Sequence, residues 1–143
     1  MQYRPTSPYS IPPVVKNLIM INIVMLVATW ALKPTGLDLT EKLGLYYPGS
    51  SYFRPYQLVT HIFMHADFWH LFFNMFALYM FGKVLEMVWG PKRFLIYFLV
   101  TGLGAATLHL FVNYLELSHV AKTVAAFSNT PSPELLATFV KSN

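Results

Sequence analysis

Three long apolar stretches constrain what this chain can fold into more than any other feature of its sequence. The first covers residues 14–32, the second runs from Phe68 to Trp89, and the third covers residues 94–114. Each is close to the ~20 residues that an α-helix needs to cross a ~30 Å hydrocarbon core. The sequence therefore predicts an all-α integral membrane protein with three transmembrane helices.

The composition supports a membrane protein and excludes several kinds of site. Of the 143 residues, 55% are hydrophobic and only 11% are charged, whereas about a quarter of the residues in a soluble domain are charged. The chain has no cysteine, which excludes disulfides, thiolate metal sites and a cysteine nucleophile. The net charge of +4 is not concentrated in a basic run, so it indicates attraction to membrane lipid and no nucleic-acid partner.

The segments outside the predicted membrane domain, residues 14–114, are more polar. Residues 1–13 form a polar, proline-rich N-terminal segment, and residues 33–60 read as a long loop with short helical pieces at the membrane interface. Residues 115–143 read as a polar or amphipathic tail, in which Ser132 and Pro133 predict a further helix start.

The basic residues predict an orientation in the membrane. Arg4 and Lys16 lie before or at the start of the first helix, and Lys83, Lys92 and Arg93 lie in or beside the short link between the second and third. In a chain with three membrane helices, both regions fall on the same side. The positive-inside rule makes that side cytoplasmic, so the N-terminus is predicted in the cytoplasm and the long loop outside.

Polar residues interrupt the apolar character just where the second helix begins, in the stretch HIFMHADFWHLFFN. His61 and His65 are four residues apart and would share a helix face. At ~100° per residue, His70 would lie about 140° round from His65, so three histidines of one continuous helix could not converge on one ion. The pattern therefore predicts no metal site. A histidine hydrogen-bonded in a turn remains the structural alternative.

Asp67 suggests a different reading of the same stretch, because it is well placed to cap a helix that begins at Phe68. His70 and Asn74 then share one face in the first two turns, a few Å below the external surface. Both can donate hydrogen bonds, and donors converging in a low-dielectric setting suit a developing oxyanion. The alternative is a polar pair that joins two helices.

Six polar or glycine positions of the second helix agree in spacing with one known family. These positions are His65, His70, Asn74, Gly82, Glu86 and Gly90. The pattern resembles the second transmembrane helix of the rhomboid intramembrane serine proteases, and the similarity extends from about Lys16 to Tyr114. The stretches YRP…PPVVKNL and FRPYQLVTHIFMH also resemble members from Bacteroidetes-type bacteria.

This resemblance implies a fold, an activity and a location. The chain would supply the first three helices of a six-helix rhomboid bundle with a long external first loop, in a bacterial inner (cytoplasmic) membrane. The activity would be that of a serine endopeptidase, without a cofactor, that cleaves transmembrane helices of membrane proteins. His70 and Asn74 would correspond to the residues that stabilise the oxyanion of the acyl-transfer intermediate.

The same resemblance implies supporting roles for four residues. His65 would be a structural histidine at the top of the second helix, and Glu86 a buried acid that hydrogen-bonds across the bundle. Gly82 and Gly90 would allow close packing and end the helix.

The sequence departs from the family pattern in two places. Tyr56 and Gln57, with Arg54 just upstream, stand where the family usually has Trp-Arg in the first loop. The family's nucleophile, a serine in Gly-x-Ser-Gly on a fourth helix, and its base, a histidine on a sixth helix, have no counterpart in these residues. The 143 residues alone are therefore predicted to be inactive, with a C-terminal half missing, whether truncated or supplied as a separate chain.

Two other functions stay open on the sequence. One is a non-catalytic rhomboid-like pseudoprotease that binds transmembrane clients without cutting them. The other is a haem-binding membrane subunit, with His61, His65, His70 or His109 as axial ligands.

Overall fold

The computed structural model describes residues 10–129, and within that range all regular secondary structure is helical. Three helices are long and apolar enough to cross a membrane: Pro13–Thr35, Phe68–Trp89 and Pro91–Ala125, called here the first, second and third span. These spans confirm the predicted all-α integral membrane fold. The predicted segment 1–13 up to Tyr9, and the helix start at Ser132 and Pro133, lie outside the described residues.

The first span consists of helix α1 (Pro13–Leu32) and a 3₁₀ turn (Lys33–Thr35). A proline at the first helical position suits α1, because an N–H group there would have no intrahelical partner. Two polar side chains of α1 are buried, and each donates to the carbonyl one turn earlier: Asn22 Nδ2 to Leu18 O at 2.7 Å and Thr29 Oγ1 to Met25 O at 2.8 Å.

The loop between the first and second spans contains two short helices, α2 (Leu39–Leu43) and α3 (Gln57–Thr60), and a 3₁₀ turn (His61–Phe63). Asp38 caps α2, since its Oδ1 accepts from the Thr40 N–H at 2.8 Å. That hydrogen bond is the main reason that the pKa of Asp38 is lowered.

The second span is not one uniform helix. It consists of α4 (Phe68–Ala77), a π-helical turn (Leu78–Gly82) and α5 (Lys83–Trp89). Gly90 ends it with φ 81° and ψ 162°, a backbone conformation that is essentially restricted to glycine. The N–H of Gly90 still donates to Glu86 O at 2.8 Å, which closes the last turn.

The third span belongs to a single long helix, α6 (Pro91–Asn129). The sequence placed the end of this helix at 114, followed by a polar tail, whereas the helix continues to Asn129. The physical reason is that neither glycine nor proline occurs between Gly104 and Pro131, so nothing in residues 115–129 breaks the backbone pattern. Contacts divide the chain after Ala106, within α6, into an N-terminal and a C-terminal unit.

The core of the N-terminal unit joins α1 to the start of α6. Its buried members are Val15, Leu18 and Phe94. The loop packs on α6 within this unit, since a Cβ atom built on Gly102 would lie only 2.7 Å from Ile62 Cδ1. The absence of a side chain at Gly102 therefore lets the 3₁₀ turn of the loop lie directly on α6, and this holds the approach to the second span in place.

Candidate functional site

The second span begins with a side-chain cap. Asp67 has extended backbone angles, φ −154° and ψ 176°, and its Oδ1 accepts from the backbone N–H of His70 at 2.9 Å. Its own carbonyl accepts from the N–H of Leu71 at 3.1 Å. The cap satisfies one of the four N–H groups that a helix start leaves without an intrahelical partner. This confirms the predicted start of the helix at Phe68.

The cap places His70 and Asn74 one turn apart at the start of α4. Both side chains are exposed, and neither has a hydrogen-bond partner among residues 10–129. An imidazole N–H and an amide N–H are both hydrogen-bond donors. The arrangement can therefore offer two donors to one oxygen atom that approaches the top of the second span.

His65 packs against one member of this pair, His70. Its side chain is 8% exposed, and its ring meets the His70 ring edge-on, with centroids 5.1 Å apart and planes at 61°. Burial lowers the pKa of His65 below the ordinary value of 6.5, and the neighbouring His70 lowers it further. A neutral His65 thus packs against His70 and restricts where the His70 ring can lie.

The pKa of His65 makes stability depend on pH. Below about 6.5 the unfolded chain binds a proton at His65 that the folded protein resists. The free energy of unfolding should therefore be highest above pH 6.5 and decrease as the pH falls through the lowered pKa of the folded state. Thermal unfolding in detergent between pH 8 and pH 5 measures this. His65→Gln should flatten the dependence and His61→Gln should retain it, and equal slopes in all three proteins would contradict the prediction.

The other two histidines of interest belong to other helical segments. His61 is in the 3₁₀ turn of the loop, where its Nδ1 is 2.8 Å from Gln57 O. His109 lies on α6 in the C-terminal unit, with Nε2 3.3 Å from Asn113 Nδ2. In the described part of the chain, no group of three or more His, Cys, Asp or Glu side chains could hold a metal ion. The haem alternative stays a prediction.

Glu86 links the second span to the first. Its side chain is fully buried and accepts two backbone hydrogen bonds from the first turn of α1, from the Val14 N–H at 3.0 Å and the Val15 N–H at 2.8 Å. Pro12, at the cap position of α1, makes no side-chain cap of its own. Glu86 therefore caps α1 from a different helix, and it holds the two spans together at this end.

Gly82 lies where the second span is closest to its neighbours. A Cβ atom added there would lie 3.0 Å from Leu78 Cδ1 and 3.1 Å from both Phe94 Cζ and Val15 Cγ2. Those distances are too short for an ordinary contact, and the neighbouring side chains belong to three different helical segments. A side chain at position 82 would therefore have to displace neighbouring side chains of α1, α6 and the π-helical turn.

Gly82→Val should accordingly lower the free energy of unfolding by about 1–3 kcal/mol, the usual effect of overpacking. Gly104 provides the matched control, because it is also helical and a Cβ atom there would meet nothing within 4 Å. Gly104→Val should change the stability by less than about 1 kcal/mol. Chemical unfolding of both variants in the same detergent measures the difference. Equal losses would show that the close packing at Gly82 is unimportant.

Comparison with known proteins identifies the family. A family model described as the Rhomboid domain matches residues 52–128, which is more than half of the chain and includes the whole second span. The chain belongs to the rhomboid family. No solved structure matches it significantly.

Two curated rhomboid relatives match the chain over part of their length. "Rhomboid-like protein 11, chloroplastic" from Arabidopsis thaliana is 34% identical over 109 residues, 76% of this chain and 35% of that protein. "Putative rhomboid protease YdcA" from Bacillus subtilis (strain 168) is 32% identical over 72 residues, 50% of this chain and 36% of that protein. The chain spans about a third of the length of these relatives. An origin in Bacteroidetes-type bacteria stays a prediction.

The described serines of this rhomboid chain lie just before α1, in the loop between the first two spans and on α6. None of the eight stands in a Gly-x-Ser-Gly sequence. In the loop, Ser50 Oγ accepts from the Tyr52 N–H at 3.2 Å, and on α6 Ser118 Oγ donates to Leu115 O at 2.8 Å. Three serines lie outside residues 10–129: Ser7, Ser132 and Ser142.

Gln57, one of the two departures from the rhomboid Trp-Arg pattern, organises the loop. It is 1% exposed, its Oε1 accepts from the Arg54 N–H at 3.0 Å, and its Nε2 donates to Lys42 O and Tyr52 O at 3.3 and 3.2 Å. Tyr56 is exposed. The sequence analysis missed this role of Gln57. No signal in the sequence marked Gln57 as buried, and one of its partners, Lys42, lies 15 residues away.

Proposed function

We propose that this chain forms the N-terminal part of an intramembrane serine endopeptidase that cleaves transmembrane helices of membrane proteins. His70 and Asn74 would stabilise the oxyanion. The observation that supports this most directly is the pair of exposed donors one turn apart, at the capped start of a membrane-spanning helix. Membership of the rhomboid family supports a role for that pair in a proteolytic site.

The proposed mechanism divides the work between this chain and residues outside it. A serine hydroxyl, deprotonated by a histidine from another helix, attacks a peptide carbonyl near the external end of the second span, and the carbonyl oxygen becomes negative. His70 and Asn74 donate hydrogen bonds to that oxygen. Such donors act strongly in a low-dielectric site, because they are already oriented when the charge develops.

The supporting residues hold those two donors in place. His65 restricts the His70 ring by packing against it, Asp67 fixes the start of α4, and Glu86 ties the far end of the same span to α1. Gly82 and Gly90 permit close approach and end the helix. Fixed donors need no reorganisation during the reaction, which is the condition for strong transition-state stabilisation.

The chain contains no Gly-x-Ser-Gly sequence, which supports a nucleophile supplied from outside the 143 residues. We propose that the nucleophile and the base belong to a C-terminal half, on the same polypeptide or on a separate one. The test is the cleavage of a single-spanning membrane protein by the complete protein in liposomes. Cleavage within or beside the substrate's membrane segment, abolished by a serine-reactive phosphonate, supports the proposal.

A complete protein that binds such a substrate without cutting it would favour the second candidate, a rhomboid-like pseudoprotease. The observation in favour of that candidate is the same lack of a Gly-x-Ser-Gly sequence in these residues. A complete protein that neither binds nor cuts membrane helices would contradict both candidates.

The proposed location is the bacterial inner membrane, with the N-terminus in the cytoplasm. The basic residues beside the link between the second and third spans support that orientation. Because the chain has no cysteine, single-cysteine variants test it without background. In intact cells, Ser51→Cys in the loop should react with an impermeant maleimide and Lys92→Cys should not. The reverse pattern would invert the topology.

A further inference from the structure

A groove lies beside the turn that joins the second and third spans, away from His70 and Asn74. Its volume is about 450 Å³, and it is lined by Trp89, Arg93, Ile96, Tyr97 and Val100. Four of these residues are spaced at 0, 3, 4 and 7 along α6, so they form one face of that helix. Trp89 comes from the end of α5, and its ring meets the Tyr97 ring edge-on with centroids 5.1 Å apart.

The chemistry of the groove changes along the helix axis. Arg93 is in the first turn of α6, and Val100 lies about 10 Å further along at ~1.5 Å per residue. The Trp89–Tyr97 pair adds two aromatic rings to the same groove, and tryptophan and tyrosine are enriched at membrane interfaces. The groove therefore offers a cation at one end of this helix face and an aliphatic side chain at the other, as the phosphate and the acyl chain of a phospholipid require.

The charge at the polar end of the groove is positive and uncompensated. Among residues 10–129, Arg93 makes no hydrogen bond or ion pair, and the first turn of α6 contains no acidic residue. The exposed Lys92 lies next to it. A guanidinium can bind two phosphate oxygens at once in a fixed planar geometry.

We propose that this groove binds one anionic glycerophospholipid from the adjacent leaflet, with its phosphate on Arg93 and one acyl chain along Ile96 and Val100. The charge favours an anionic head group over a zwitterionic one, because no acidic residue lines the groove to pair with a choline or an ethanolamine. The site is independent of the proposed protease activity, and it requires only that the third span lies in a membrane.

The test is native mass spectrometry of the full chain released from neutral detergent with added phosphatidylglycerol or phosphatidylcholine. We expect one molecule of phosphatidylglycerol to be retained, and phosphatidylcholine at least fivefold less. Arg93→Gln should lower the phosphatidylglycerol-bound fraction at least fivefold. The matched control Lys92→Gln removes the same charge from the neighbouring position, which does not line the groove, and should change that fraction less than twofold.

A second variant tests the groove without changing its charge. Val100 is 60% exposed, so Val100→Trp should fold normally, as circular dichroism can show, and should reduce lipid retention as Arg93→Gln does. Equal losses of bound lipid for Arg93→Gln and Lys92→Gln would show that any nearby positive charge attracts the lipid equally, which would overturn the proposal. Displacement of the lipid by excess glycerol phosphate would show a phosphate site only. No retention of phosphatidylglycerol by the unaltered chain would also overturn the proposal.

Discussion

Replacing His70 or Asn74 by alanine in the complete protein should lower kcat by on the order of 10²–10³-fold. The protein should remain folded, because both side chains are exposed and Asp67 bonds the backbone of His70, not its ring. KM should change little, since the donors act on charge that develops only in the transition state. The double variant should lose less than the product of the two single losses, because both donors act on one oxygen.

Single-turnover cleavage of a transmembrane substrate in liposomes measures this effect without product release. Val88→Ala is the matched control, since Val88 lies on the same span near its other end and is 73% exposed. That variant should retain full activity. If both His70→Ala and Asn74→Ala also retain full activity, the oxyanion assignment is wrong. If they lose activity only because they unfold, thermal unfolding of the same samples will show it.

Replacing Glu86 should produce the largest loss of stability. Glu86→Leu removes both acceptors of the Val14 and Val15 N–H groups, and each buried donor left unsatisfied costs about 1–3 kcal/mol. The free energy of unfolding should therefore fall by about 2–6 kcal/mol. Glu86→Gln should lose about half as much, because its amide retains one oxygen that can accept and replaces the other with a donor.

Equilibrium unfolding in mixed detergent micelles can measure these changes. Glu116→Leu is the matched control, because it makes the same substitution on an exposed site of the third span, and it should be neutral or slightly stabilising. Hydrogen exchange adds a local measurement, since the amides of Val14 and Val15 should lose protection first in the Glu86 variants. Unchanged protection at these amides would show that Glu86 does not cap α1.

Local features of this fold could be predicted from the sequence, because their causes are close together along the chain. The cap at Asp67 depends on residues three positions apart, and apolar length alone identifies the three spans. The partners of Glu86 could not be predicted in the same way, since they lie 71 and 72 residues away. The family resemblance suggested a hydrogen bond across the bundle. Only the three-dimensional structure identifies backbone N–H groups of α1 as its donors.

The extent of α6 and the contact between His65 and His70 show two further limits. The polar composition of residues 115–129 predicted a tail. Composition indicates whether a segment lies in water or in lipid, but it does not decide whether the backbone of that segment is helical. The approach to α4 also changes direction between Met64 and Asp67, so the spacing of the two histidines on one helix did not apply. Only the turn itself brings their rings to 5.1 Å.

The π-helical turn at Leu78–Gly82 has a consequence for the whole second span. A π turn accommodates one residue more than an α turn, which rotates everything beyond it by up to about 100° relative to everything before it. The turn therefore sets the angle about the helix axis between two sides of the span. One side carries the exposed His70 and Asn74, and the other carries the buried Gly82 and Glu86. Deleting one residue there would leave the donors in position while turning the Glu86 carboxyl away from α1. The second span thus consists of two helical segments, and the insertion or deletion of a single residue in the turn would rotate one segment relative to the other.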